Sequence, residues 1–207
     1  YAGVEAFFGV YSLAIVMRWD LTVHSLTCIV VGALLVAIAL IDHDSWLIDD
    51  RMSAAVALLG LAGHGASLII DTELALVPSL LSVATHCAAG AIAFGLLFGM
   101  GYVMTRALDK EALGGGDAPL FAAIVCTTGW GGLLPVLMLA SVQGLIGWAI
   151  LSQSGGIGNR DIEHDDGWQP EEGALPLGIF LALAGLEVLV IGEGLTDAYL
   201  DAVRNLL

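Results

Sequence analysis

Polar residues break this chain into apolar runs of helical, membrane-crossing length. Residues 2–17 form the first run, interrupted by Glu5 and closed by Arg18-Trp19-Asp20, an arrangement suited to a membrane interface. Residues 23–41 form the second, with His24 at its start, close to the roughly 20 residues a helix needs to cross the hydrocarbon. A polar stretch follows with Asp42, Asp44, Asp49 and Asp50 inside nine positions, and the third run is 52–70. Asp71-Thr72-Glu73 make a corner before a fourth run, 74–105, which is longer than a perpendicular crossing and must tilt or project. A polar link at 106–116 leads to a short apolar piece, 118–130, and then to another run, 133–151, with Pro135 near its start. The loop 152–174 is Gly-rich and then strongly acidic, and the last run is 175–192. In the tail, 193–207, Leu195, Tyr199, Leu200, Val203 and Leu206 recur at helical spacing against Asp197, Asp201 and Arg204, which predicts an amphipathic surface helix. The pattern predicts an all-α, polytopic transmembrane bundle of about six membrane segments plus that C-terminal helix, in a single integral membrane domain spanning 1–207. The long unbroken runs exclude a β-barrel, whose strands alternate over short segments.

Composition agrees. Hydrophobic residues make up 58% and charged residues 13%, against about 25% charged in soluble domains, and the mean hydropathy is +0.90. Six Lys plus Arg oppose 21 Asp plus Glu, for a net charge of −15. Nucleic acid is excluded as a partner for such a surface; a basic peptide or a cation suits it, as does plain solvation of acidic loops. Cys28, Cys87 and Cys126 are far apart in apolar runs and form no CxxC pair, so they read as small buried residues and not as a metal or redox motif. His64 and His86, inside the third and fourth runs, are expected to hydrogen-bond between helices. Ala91, Gly95 and Gly99 are spaced for close helix packing. The chain begins at Tyr1 without Met and no signal peptide precedes it, so the start is expected to be processed or to continue a longer protein.

The candidate chemistry lies in two acidic places. One is the cluster at 42–50; the other is Gly114-Gly115-Gly116-Asp117, where three glycines precede an acid between apolar runs. Two runs, the third and fourth, separate them, and two crossings return a chain to its starting side. Both acidic places are therefore expected on one membrane face. Arg51, Arg106, Lys110 and Arg160 fall on that side and Arg18 and Arg204 on the other, which favours a cytoplasmic placement. Two adjacent carboxylates resist ionising together, so one holds a proton and the other acts as base. Such a pair can activate water and protonate a leaving amine, while glycines let a peptide approach the backbone. Acids at the ends of spans that merely face water are the alternative from composition alone.

The stretch IDHDSWLIDD at 41–50 resembles the first aspartate motif of the type IV prepilin peptidases, roughly ID-x5-[IL]-P-D, and GGGDAPLFAA at 114–123 is similar to their second, G-x-G-D-x-K-L. YAGVEAFFG at 1–9 resembles the segment leading into their peptidase half, and LPLGIFLALAG at 175–185 their Pro-Phe-Gly-Pro stretch. The resemblance covers nearly the whole chain. It implies catalytic roles for Asp42 and Asp117, a supporting role for Asp50, substrate contact at Gly114, Gly115 and Gly116, and no metal or cofactor. It also implies cleavage of a prepilin-like basic leader peptide at the cytoplasmic face of the inner membrane by a multi-pass aspartic-type endopeptidase within the lipid bilayer. The methyltransferase-associated N-terminal region of the bacterial enzymes is expected to be absent. Three positions depart from the family pattern: Asp49 and Ile179 stand where it has Pro, and Pro119 where it has Lys. These departures motivate a second expectation, a non-catalytic relative acting as scaffold or accessory subunit in a membrane complex. A third, cation binding, would draw on His43, Asp44, His164, Asp165 and Asp166.

Overall fold

The computed structural model describes residues 2–108, 113–153 and 176–192. These residues form seven α-helices: α1 Ala2–Trp19, α2 Val23–Ser45, α3 Asp50–Ile70, α4 Leu76–Leu108, α5 Asp117–Thr128, α6 Trp130–Gln153 and α7 Leu177–Ile191. Five of them, α1 to α4 and α6, are long and apolar enough to cross a membrane, and the polytopic helical bundle read from the sequence is the architecture found. α4 is a single helix, so two helices long and apolar enough to cross a membrane, α3 and α4, lie between the aspartate cluster and Asp117. Residues 154–174 of the acidic loop 152–174, with His164, Asp165 and Asp166, and the whole tail 193–207 lie outside the described residues.

The two short helices sit at the centre. α5 packs against α3, α4, α6 and α7, and α7 against α1, α2, α5 and α6. Leu120, Phe121, Ile124 and Val125 of α5 and Leu181, Ala182, Ala184 and Leu186 of α7 are buried. The long helices instead turn Val10, Met17, Leu58, Leu80, Phe98 and Leu145 outward, as helices bordering lipid do. Small residues bring the helices together: a Cβ on Gly60 would collide with Thr127 of α5, one on Gly63 with Thr27 of α2, and one on Gly90 with Cys126 of α5.

That packing corrects two expectations. On α4 the inward face carries Ala89, Gly90, Ala93 and Leu97, while Ala91 and Gly95 face outward and a Cβ on Gly95 or Gly99 would meet open space. Small residues recur on both faces of α4, so their spacing alone does not choose the packed one. Cys28 is buried and Cys126 half-buried, but Cys87 is exposed. The histidines do link helices: His64 Nε2 lies 2.9 Å from Ser82 Oγ, His86 Nδ1 lies 3.1 Å from the Cys126 carbonyl, and the two rings stack at 3.9 Å.

The end of the bundle away from the acids is closed by caps. Thr22 and Ser25 form a capping box at the start of α2, and the Asp71 carboxylate accepts the Val23 and His24 amides at 3.2 and 3.1 Å. Helix-terminal amides that have no intrahelical acceptor are satisfied in this way, and the cap ties the start of α2 to the end of α3.

Candidate active site

Asp42 belongs to a helix and not to the loop after it. Helix α2 continues to Ser45, and Val31, Leu35, Ile38 and Asp42 recur at three- or four-residue spacing on its buried face. The register that buries the apolar residues therefore carries the carboxylate inward, where it is 3% exposed. Trp46 then ends the helix in the left-handed region (φ 56°), its amide donating to the Asp42 carbonyl at 3.0 Å. A non-glycine residue there is uncommon, and the turn it makes sends the chain back across the helix end with Ile48 on its inner side.

Asp117 is reached differently. It is the first residue of α5, a helix of 12 residues that is too short to cross the membrane. The loop before it folds on itself: the Asp117 amide donates to the Gly114 carbonyl at 3.2 Å, and the Gly114 amide donates to Asp117 Oδ2 at 3.0 Å. Asp117 is 6% exposed. Burial, and after it the Asp42 carboxylate, push the Asp117 carboxyl up to about 7, with the Gly114 amide acting in the opposite direction. The structure thus brings the two sequence-predicted acids into electrostatic contact at one end of the bundle.

Asp50 and the three glycines sit less uniformly. Asp50 is exposed in the first turn of α3, and its neighbour Asp49 caps that helix by accepting the Arg51 amide at 2.8 Å. None of Gly114, Gly115 and Gly116 takes a left-handed φ. A Cβ on Gly115 would meet open space, whereas one on Gly116 would lie 2.6 Å from Ile48 Cβ and 3.1 Å from the Ile48 carbonyl. Gly116 is required for close approach to the protein's own chain; Gly114 and Gly115 are exposed.

The sequence reading missed the α7 contribution. Pro176 is the N-cap of α7 and supplies no side-chain cap. In its place the Asp42 carboxylate, from another helix, accepts the Ile179 amide at 3.0 Å, and the Gly178 amide also faces it. A Cβ on Gly178 would lie 2.6 Å from Asp42 Oδ2 and 2.5 Å from Ile48 Cδ1. The signal was present as Pro176-Leu177-Gly178 opening an apolar run, the signature of a helix start; that the start points at Asp42 is a tertiary fact. His43 and Asp44 form an exposed pair at 2.9 Å, and among the described residues no three His, Cys, Asp or Glu side chains converge as a metal site.

Two buried carboxylates that act on each other electrostatically, with amide donors on each, are equipment for general acid–base chemistry. Residues 29–149, which include both aspartates, match the sequence model of the type IV leader peptidase family. The chain is 25% identical to a prepilin leader peptidase/N-methyltransferase of Legionella pneumophila, over 97% of the chain and 62% of that protein. It is 27% identical to the Myxococcus xanthus protein of that name, over 95% of the chain and 70% of the relative. The Xanthomonas campestris protein is 28% identical over 97% of the chain and 62% of its own length. The chain therefore spans less than two thirds of the length of several of the relatives it matches. No solved structure matches it.

Proposed function

The chain belongs to the type IV leader peptidase family, and we propose that it is an intramembrane aspartyl peptidase that hydrolyses a prepilin-like leader with the Asp42/Asp117 pair. One observation carries this reading: two nearly buried carboxylates, from helices far apart in sequence, share one end of a membrane bundle. A buried acid is costly unless it is used or paired, and in this reading the two share a proton.

In this mechanism Asp42 is the base, because two backbone amides, those of Ile179 and Gly178, face its carboxylate against one at Asp117, and such donors favour the charged form. Asp117, raised by burial, keeps the proton. Asp42 takes a proton from water, and the water oxygen bonds to the scissile carbonyl carbon. The carbon–nitrogen bond then breaks as Asp117 gives its proton to the departing amine. The arginines read from the sequence support a cytoplasmic placement of this end, and the acidic balance of the chain suits a basic leader.

The test is cleavage of a prepilin-like peptide by membranes containing the chain. Asp42→Asn and Asp117→Asn should each reduce the rate by at least about 100-fold, the lower end of what one general acid or base contributes. Full cleavage by both variants rejects the pair as the catalytic centre. A wild-type protein that cleaves no such peptide, and purifies with stoichiometric partners, is instead the scaffold or accessory subunit.

A further inference from the structure

Helix α1 is fastened to the bundle over one half of its length. Tyr11 and Ile15 are its buried residues, and none of residues 2–10 is buried. The Tyr11 hydroxyl donates to the Cys28 carbonyl at 2.9 Å, and a Cβ on Gly32 would collide with the Tyr11 ring. Farther along, the Arg18 guanidinium donates to the Ile191 carbonyl at 3.3 Å, and a Cβ on Gly192 would lie 2.8 Å from Trp19 Cζ2. These contacts fix the half of α1 away from the acids. In the other half, a Cβ on Gly3 or Gly9 would meet nothing within 4 Å.

Between that loosely packed half and the bundle lies a cleft of about 280 Å³, near the lower end of the roughly 300–1,000 Å³ of ligand pockets. Val4 and Phe7 of α1 form one wall, and Ala39 of α2 and Leu183 of α7 the other. The cleft runs over residues 36–43 of α2 and 179–186 of α7, about 10 Å at 1.5 Å per residue. Among the described residues that line it, His43 alone is polar. Phe7 and Leu40 on its edges are 47% and 44% exposed, so it opens sideways between α1 and α2, where outward faces border lipid.

One end of the cleft is the candidate site. His43 is the residue after Asp42, and Ile179, whose side chain lines the cleft, has its amide 3.0 Å from the Asp42 carboxylate. An apolar segment lying in the cleft therefore ends beside Asp42. Beyond that end Asp44, Asp49 and Asp50 are exposed, which complements basic residues on the other side of the bond. Building on the peptidase reading of this site, we propose that the cleft between α1 and the α2/α7 pair docks an apolar substrate segment on the carboxyl side of the scissile bond, admitted sideways from the bilayer. Packing drives association within lipid, so the fit of this cleft decides how tightly the segment is held.

The test uses the full chain in phosphatidylcholine vesicles and two peptides. The long one carries a basic leader followed by about 20 apolar residues; the short one ends just past the bond. Ala39→Phe puts a ring into the cleft. It should raise KM for the long peptide about 5- to 100-fold relative to the short one, the range that overpacking one site produces. The kcat for the long peptide should stay within about twofold, because the interaction is made before and during reaction alike. A general folding defect cancels in the ratio of the two KM values. Val10→Phe, on α1 but 68% exposed, is the control and should leave the ratio unchanged. A second readout is independent of activity. A benzophenone placed one turn past the bond should cross-link the uncleaved long peptide to Val4, Phe7 or Leu183 in Asp117→Asn, and adding Ala39→Phe should abolish those cross-links.

Cross-links spread over the outward residues Leu58, Leu80 and Phe98, with none in the cleft, overturn the docking, as does an unchanged KM ratio in Ala39→Phe. A cleft filled by lipid alone gives that result. If the long peptide is nevertheless cleaved, the peptidase reading stands without the docking. If the wild type cleaves neither peptide while the cleft cross-links form, the peptidase reading fails and the docking stands.

Discussion

Replacing Gly114, Gly115 and Gly116 one at a time by Ala separates what each glycine does. At Gly116 the new Cβ would sit 2.6 Å from Ile48 Cβ and 3.1 Å from the Ile48 carbonyl, against roughly 3.5–4.0 Å for a relaxed carbon–carbon contact. Neither obstacle is the free end of a flexible side chain, so the loop or the 46–49 turn must move by about 1 Å to restore that contact. Overpacking of this kind costs about 1–3 kcal/mol. Gly116 is also the N-cap of α5, a position where Gly is strongly preferred to Ala. Thermal unfolding in detergent should fall by about 2–4 °C per kcal/mol for a domain of this size. The same displacement carries Asp117 with it, and a misplacement of about 1 Å can lower kcat by roughly 100-fold. At Gly114 the Cβ would lie 3.1 Å from Asp117 Oδ2, the oxygen held by the Gly114 amide. That variant should keep most of its stability and lose turnover. At Gly115 nothing lies within reach, so Ala should leave stability unchanged or slightly raised through the unfolded chain, and any loss of cleavage should appear in KM. The reasoning is refuted if Gly115→Ala destabilises as much as Gly116→Ala, or if Gly116→Ala unfolds and turns over as the wild type does.

Asp117 also sets a pH dependence with a definite sign. Its carboxyl is raised to about 7, and the acid form is the one that protonates the leaving amine, so cleavage should decline as pH rises through about 7; an unchanged rate to pH 9 would count against that role. A folded-state pKa above the unfolded one contributes stability that is present at low pH and lost as pH rises toward the folded value. Asp117→Asn should therefore unfold at a higher temperature than the wild type at pH 8 and lose that advantage at pH 4, which a pair of thermal melts would show. Gly129 ends α5 at φ 68° and ψ −162°, and a Cβ there would lie 2.7 Å from His86 Nε2. Gly129→Ala should cost at least about 1–2 kcal/mol from the left-handed backbone alone, seen as a lower melting temperature with KM unchanged.

Most of the architecture was legible because apolar runs of membrane length have few alternatives to helix. The same reasoning gave the shared face of the two acidic places, since it needed only the count of crossings between them and α4 is unbroken. The faces of individual helices were less legible. A helix in lipid is apolar on every side, so the contrast that marks the inward stripe of a soluble helix is absent. Hence Ala91 and Gly95 could be taken for a packing surface that in fact belongs to Ala89, Gly90 and Ala93. Asp42 shows the converse: its inward placement follows from the spacing of Val31, Leu35 and Ile38, which was in the sequence once the helix was known to continue to Ser45.

The three departures from the family motifs were the weakest part of the sequence reading, and local structure accounts for each. Asp49, where the family has Pro, is the N-cap of α3 and accepts the Arg51 amide; an acid at that position is among the best caps. Pro119, where the family has Lys, is the third residue of α5, inside the first turn where a missing N–H breaks no helix bond. Ile179, where the family has a second Pro, carries an N–H that Pro lacks, and that N–H meets Asp42. Two of the three changes fit helix starts, and the third adds a donor to the acid that the mechanism needs charged. A chain released from catalysis has no reason to keep Asp42 and Asp117 both buried, where carboxylates are costly, nor to keep Gly116 and Gly178 clear for one isoleucine. The departures therefore weigh less against activity than their position in the motifs implied, and the retained geometry weighs more in its favour.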